Sequence, residues 1–313
     1  MSNSFSRKFV PALLAGFAVA TVPMIAQAPT EGPVPTTALI TVQSKSGTPL
    51  DPSLLKLQID RHEAPITSVT PVTPAAAQVA ILIDDGLRFT FSSQLQEFTD
   101  FINQLPAGTK VFVGYMQNGV VRGSQGFSAD HAAVAAQLRI PTSVAGVDGS
   151  PYFCLSEFAK HWPSNEPGAR FVLMISNGVD PYNGRPSIMN QDSPYVQNAQ
   201  EDAQRAGVAV YSIYYGESAL RGARGSFSGQ SYLQQVAEAT GGDSFYQGTI
   251  TPPSLAPYLK EFSSAIAESY TVSFNVSSAR EKNDTLTQIK LTTSQPGVKI
   301  HAPQNVHPGV DLQ

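Results

Sequence analysis

Two hydrophobic patterns alternate through the middle of the chain. Short continuous apolar runs at residues 79–84, 110–116, 170–176 and 208–215 have the length and β-branched content of strands buried on both faces. Between them, apolar residues recur at helical spacing. In 92–105 these are Leu95, Phe98, Phe101, Ile102 and Leu105, with Ser92 or Ser93 as N-cap. Asp130 is placed to cap a helix running to Leu138, and 153–161, 191–206, 231–240 and 254–267 carry the same period. Gly207 and Gly241-Gly242 stand where helices end. Gln117-Asn118-Gly119 predicts a hairpin between 110–116 and 119–127, and 243–247 reads as a short edge strand. Such alternation predicts an α/β, doubly wound, mainly parallel sheet with helices on both faces. Right-handed crossovers then bring the C-terminal ends of the parallel strands to one rim.

The ends of the chain follow a different rule. Segments 38–42, 55–59, 270–276 and 286–292 read as β-strands, the last three alternating as half-buried strands do, with 44–49 and Asn283-Asp284 as turns. Residues 69–74 read as a proline-rich connector. These strands predict a small flanking β subdomain built from both termini. The expected division is 37–74 for the N-terminal strands, 75–267 for the α/β domain, and 268–313 for the C-terminal strands and tail.

Ahead of them, 1–28 reads as a secretory signal: Arg7 and Lys8, an apolar stretch over 9–22, and Ala26-Gln27-Ala28 as a small-x-small cleavage pattern. Pro29 follows that cut, so cleavage after Ala20, or a retained anchor, stays open. The stretch is shorter than the ~20 apolar residues of a spanning helix, and no second membrane segment follows. Residues 29–36 read as a linker. The expected location is periplasmic or extracellular.

Composition narrows the function classes. Charged residues make up 14% of the 313 positions and the net charge is −4, so the basic footprint of a nucleic-acid binder is absent. The single cysteine, Cys154, excludes an intramolecular disulfide and sits in the apolar run Tyr152-Phe153-Cys154-Leu155, where a buried structural thiol is expected. No enzyme signature is present. Gly225-Ser226-Phe227-Ser228-Gly229 has phenylalanine where a nucleophile elbow needs serine, and no phosphate loop follows the first buried strand. His62, His131, His161, His301 and His307 are scattered without metal-ligand spacing. The expectation is a protein with no catalytic residues, no cofactor and no bound metal.

The most informative stretch is the strand that ends Ile83-Asp84-Asp85-Gly86-Leu87-Arg88. Carboxylates at such a strand end lie where open α/β sheets bind ligands. The stretch resembles the first metal-site motif of the von Willebrand factor type A (VWA) domain, Asp-x-Ser-x-Ser, with Asp84 in place and Gly86 and Arg88 replacing the serines. Ser150 matches the second loop's threonine, and Ser176-Asn177-Gly178 replaces the third loop's Thr-Asp-Gly. The resemblance covers 79 to about 267. The flanking Gly47-Thr48-Pro49-Leu50 and Glu268-Ser269-Tyr270-Thr271-Val272 are similar to parts of exported bacterial VWA-related proteins. It implies a non-catalytic adhesion or assembly module. Many members use the metal to bind an acidic residue of a partner, and the departures here put that metal in doubt.

Arg88 then either pairs with Asp84 or Asp85 or is a solvated surface arginine. The rim is expected to bind a protein partner through Asp84, Asp85, Arg88 and Phe89 of the first loop and Ser150 and Tyr152 of the second. Asn177, Tyr182 and Arg185 of the third loop join them, with Arg221 and Arg224 from a loop spanning 216–229. Two alternatives remain: a non-standard Mg²⁺ or Ca²⁺ site at Asp84, Asp85 and Ser150, and a structural envelope component contacting through its β subdomain.

Overall fold

The computed structural model describes residues 32–44, 47–87, 89–143, 149–184, 192–216, 218–249, 251–277 and 285–313, without the side chains of 89, 90, 218–226 and 277. The expected signal, most of the linker and the Asn283-Asp284 turn lie outside the described residues, as do Arg88 and Arg185. Gly32–Gln313 forms one compact unit.

The chain begins with β1 (Pro33–Ser44), β2 (Leu55–Ile59), β3 (His62–Ala64) and β4 (Ile66–Pro71). Residues 33–36, expected as linker, are therefore strand. At that end β1 has β11 on one side only, because its other neighbour pairs with Thr41–Ser44 alone, so Pro33 and Pro35 need no second ladder bond. The first half of the expected connector at 69–74 is the end of β4, whose Ile66, Val69 and threonines favour a pleated edge.

The α/β layer follows. It comprises β5 (Ala77–Asp84), α1 (Leu95–Gln104), β6 (Lys110–Gln117), β7 (Val120–Gly123), α2 (His131–Ala135) and α3 (Pro151–Lys160). It continues through β8 (Ala169–Ser176), α4 (Pro194–Arg205), β9 (Val208–Tyr214), α5 (Ser218–Thr240), β10 (Ser244–Phe245) and α6 (Ala256–Ala267). The strands form one sheet in the order β10-β9-β8-β5-β6-β7, parallel except for β7. Asn118 (φ 49°) and Gly119 (φ 80°) turn β6 into β7 with two left-handed residues, as Asn-Gly predicts. Val79, Ile81 and Ile83 point into a core with Phe98, Ile102 and Phe262, while Ala80 and Leu82 face Leu155, Met174 and Val236 on the other side. Burial on both faces explains why these strands read as unbroken apolar runs.

The main correction in this layer concerns 216–229. Most of it is the first half of α5, a 23-residue helix, and not a loop. Its glycines oppose helix by propensity, yet Gly229 lies where α5 crosses the third loop so closely that an added Cβ would stand 2.1 Å from the Asn177 carbonyl oxygen.

The last strands are β11 (Ser269–Ser277), β12 (Thr287–Thr293), β13 (Val298–His301) and β14 (Asn305–Val306). With the N-terminal strands they make two four-stranded sheets, β13-β1-β11-β4 and β14-β12-β2-β3, around Ile40, Leu57, Phe274 and Leu291. The flanking β subdomain from both termini is thus present. However, β11 and β12 are not hairpin partners: they belong to different sheets. Alternation shows that each strand has one buried face but does not say which neighbour it pairs with. The subdomain is fastened to the α/β layer. Leu39 of β1 and Leu312 near the C-terminus both enter the α/β core, and the hydroxyls of Thr41 and Tyr211 meet at 2.6 Å.

Candidate functional site

Read from the antiparallel edge, the sheet runs β7-β6-β5-β8-β9-β10, the 3-2-1-4-5-6 order of a doubly wound sheet. The connections reverse direction between β5 and β8, where such folds open a crevice at the strand ends. Here a hydrogen bond spans it. Ser176 Oγ, at the end of β8, donates to Asp84 Oδ2 at 2.7 Å, and Gly86 N donates to Asp84 Oδ1 at 2.9 Å. Gly178 N donates to Ser176 Oγ at 3.0 Å, and Val179 N to Asn177 Oδ1 at 2.9 Å. The half-buried Asp84 therefore organises the first and third loops together.

Asp85 faces elsewhere. It is 1% exposed, and Arg139 Nη1 donates to its Oδ1 at 2.6 Å, with Thr142 N at 3.2 Å. The guanidinium lies 3.8 Å above the Tyr115 ring centroid, and the Tyr115 hydroxyl donates to the Arg139 carbonyl. Arg139 is thus an observed partner of Asp85, and Asp85 is an internal strut instead of a rim contact. Consecutive strand-end residues point in opposite directions, so Asp84 and Asp85 cannot act as a pair.

Two other expected rim residues are also internal. Tyr152 is fully buried, and its hydroxyl donates to the Gly178 carbonyl at 2.7 Å, tying the first turn of α3 to the third loop. Burial, with the Asp180, Tyr232 and Asp84 side chains nearby, pushes its phenol well above the usual tyrosine range, so it remains a neutral donor. Ser150 is fully buried at the N-cap of α3, and its hydroxyl has no hydrogen-bond partner among the described residues. Asp180 was not singled out in the sequence. It is buried, accepts from Tyr182 N at 3.1 Å and Ser193 Oγ at 2.5 Å, and closes the third loop onto the start of α4. Its signal was the Asp180-Pro181 dipeptide, which favours a turn start.

Among the described residues several large hydrophobic side chains face solvent. Tyr182 is 50% exposed and Phe153 39%, with Val120, Phe227 and Tyr246 comparably open. Three of them are neighbours across two glycines. An added Cβ at Gly119, beside Val120, would stand 2.5 Å from the Phe153 ring; at Gly149 it would stand 2.5 Å from the Tyr182 hydroxyl and 3.7 Å from Asn118 Cα. Tyr182 is braced from behind by Tyr195, with ring centroids 5.3 Å apart. Bare backbone at Gly119 and Gly149 thus lets Phe153 and Tyr182 lie close around the Asn118-Gly119 turn, beside the exposed Val120, as one patch at the rim. Asn177 is half-buried below it. Phe89 lies in the 3-10 turn Phe89–Gln94, and Arg221 and Arg224 lie on α5, with side chains outside the described set.

No family model and no curated protein matches this chain. Solved structures do. A von Willebrand factor type A protein from Catenulispora acidiphila is 9% identical with a TM-score of 0.42, over 89% of this chain and 74% of its own. BatB from Bacteroides thetaiotaomicron is 11% identical at TM-score 0.41, over 61% and 97%. The pilus adhesin SpaC from Lactobacillus rhamnosus GG is 9% identical at 0.45, over 81% and 47%. The architecture is a doubly wound α/β sheet with one antiparallel edge strand, as expected from the sequence; likenesses this low say nothing of function. At its β5–β8 crevice the first loop presents Asp84 and the third presents the Ser176 hydroxyl bonded to it.

Proposed function

We propose that the chain is an exported, non-catalytic protein-binding module whose VWA-like rim takes a protein partner without a metal ion. The observation that carries this reading is the patch of Val120, Phe153 and Tyr182, held open to solvent over Gly119 and Gly149. Rigid, exposed aromatics on a scaffold rim are the residue type that anchors protein interfaces. The signal-like residues 1–28 support export. Among the described residues no helix is long and apolar enough to cross a membrane.

The crevice does not fit a divalent cation well. Among the described residues Asp84 already takes two donors, the Asn177 amide oxygen is occupied by Val179 N, and Asp85 is turned away to Arg139. Among the described residues no three acidic, histidine or cysteine side chains converge. Hard cations need several oxygen ligands at once. One observation favours a second, metal-dependent reading: the buried Ser150 hydroxyl lacks a partner among the described residues, and a ligand at the crevice would satisfy it.

Two measurements separate these readings. Thermal melting in EDTA and then in millimolar Mg²⁺, Mn²⁺ or Ca²⁺ should show no shift. A cation at ~100 times its Kd would add roughly 2.7 kcal/mol, and a rise abolished by Asp84→Ala would install the metal reading. For the partner surface, the photo-crosslinking residue p-benzoylphenylalanine is placed at Tyr182, at Phe153, or at Lys56 on the distant sandwich. Discrete adducts from positions 182 and 153 alone are expected. Adducts only from position 56 would shift the contact to the β subdomain and favour a structural envelope component.

A further inference from the structure

A second recess, of about 480 Å³, lies away from the rim, at the seam between the sandwich and the α/β layer. Its size is within the ~300–1,000 Å³ of small-molecule sites, which favour such seams. β1 and β13 form one wall, and α6 with the sheet edge at β9 and β10 forms the other. The sheet-edge side is aromatic. Tyr211 and Phe245 stack with centroids 6.3 Å apart, and Tyr258 continues the stack beyond Phe245 at 6.0 Å.

The charged residues around it are mostly acidic. Asp243, Glu261 and Glu268 line the recess, and none of them forms an ion pair among the described residues. Lys260 is the lysine in the lining, so three negative charges less one positive leave a balance of −2. His301 adds no charge near neutrality, because burial first and Lys299 second lower its pKa below the ordinary histidine value. The hydroxyls of Thr41 and Tyr211 satisfy each other, whereas Gln43 and Ser264 supply further oxygen acceptors.

The spacing of the acids argues against a metal ion. Glu261 and Glu268 are seven residues apart along and just past α6, about 10 Å along a helix axis. Among the described residues no group of three acidic, histidine or cysteine side chains could hold one cation. Separated carboxylates beside an aromatic floor suit a different ligand: ammonium groups at intervals on an aliphatic chain. Each ammonium would meet a carboxylate, and the methylenes would cover the small exposed parts of Tyr211 and Phe245.

We propose that this recess binds a small aliphatic polycation of the diamine or polyamine class. The site is independent of the rim, and its failure would leave the rim reading untouched. The test is calorimetric titration of the folded chain with spermidine, repeated with Mg²⁺ and with NaCl at matched ionic strength. Saturable one-site binding of spermidine, without a matching signal from Mg²⁺ or NaCl, is expected. Asp243→Asn, Glu261→Gln and Glu268→Gln should each weaken it about tenfold, the order expected for losing a charge-assisted contact. Glu63→Gln, on β3 and outside the recess, should leave it unchanged. Asp243 Oδ1 also accepts from Ser244 N; if Asp243→Asn disturbs folding by circular dichroism, the exposed Glu261 and Glu268 carry the test alone. Absence of saturation, equal binding of Mg²⁺, or full affinity in the Glu261 and Glu268 variants would overturn the proposal.

Discussion

Gly178→Ala is expected to destabilise the protein by about 3 kcal/mol, read as a lower midpoint in urea denaturation. Two costs combine. The residue has φ +66°, the left-handed region, where a side chain costs ~1–2 kcal/mol. A Cβ there would also stand 2.3 Å from the Gly229 carbonyl oxygen, and relieving such a backbone contact costs ~1–3 kcal/mol. The variant should further loosen the third loop, because the Gly178 carbonyl holds the Tyr152 hydroxyl and its amide holds Ser176. Wild-type stability in Gly178→Ala would mean that α5 and the third loop do not cross as closely as described.

The second large effect is expected at the buried ion pair. Arg139→Ala leaves the Asp85 carboxylate in the protein interior without its cation, and breaking such a pair costs ~3–5 kcal/mol. The partial exposure of Arg139 points to the lower end of that range, about 3 kcal/mol. Asp85→Asn combined with Arg139→Ala should recover part of the loss, since a neutral amide is less costly to bury. Denaturant midpoints of the four proteins form a cycle that isolates the pair. Arg139→Lys should restore little, because the planar guanidinium also stacks on Tyr115 and donates to the Ile140 carbonyl. Additive single effects in the cycle would show that the two side chains do not act as a pair.

Much of the scaffold was legible because burial on both faces leaves strands little ambiguity. The apolar runs at 79–84 and 170–176 fall inside β5 and β8. Legibility failed where local preference opposed tertiary need. Gly222, Gly225 and Gly229 read as loop residues, yet α5 runs through all three, and at Gly229 the missing side chain admits the Asn177 backbone. Pro33 and Pro35 read as linker, but a half-open strand accommodates them. Pairing was the least legible property, since nothing in the alternation of β11 and β12 says that they face each other from opposite sheets.

The site divided along the same line. Asp84 was legible as the acid ending the central strand, and Tyr182 as an aromatic on a long loop. The partner of Asp85 lies 54 residues away and carries no local mark. Tyr152 shows why residue type alone misleads: an aromatic at the start of a helix can serve as an outward anchor or an inward strut, and its hydroxyl bond to the third loop makes it the latter. Phe153, its neighbour, is the one that faces solvent.

The joining of β1 to β11 bears on when the chain can fold. Their ladder matches Pro33–Thr41 with Ser269–Ser277, so its outermost partners, Pro33 and Ser277, are 277 − 33 = 244 positions apart. Contacts at such sequence separation form slowly, because the intervening chain must be ordered or looped before they gain anything. During synthesis, Ile40 and Val42 emerge well before the strands that cover them. The sandwich is therefore a late-closing clasp, and a chain cut short before residue 269 keeps the sequence of the whole α/β layer yet lacks the strand that covers its first one.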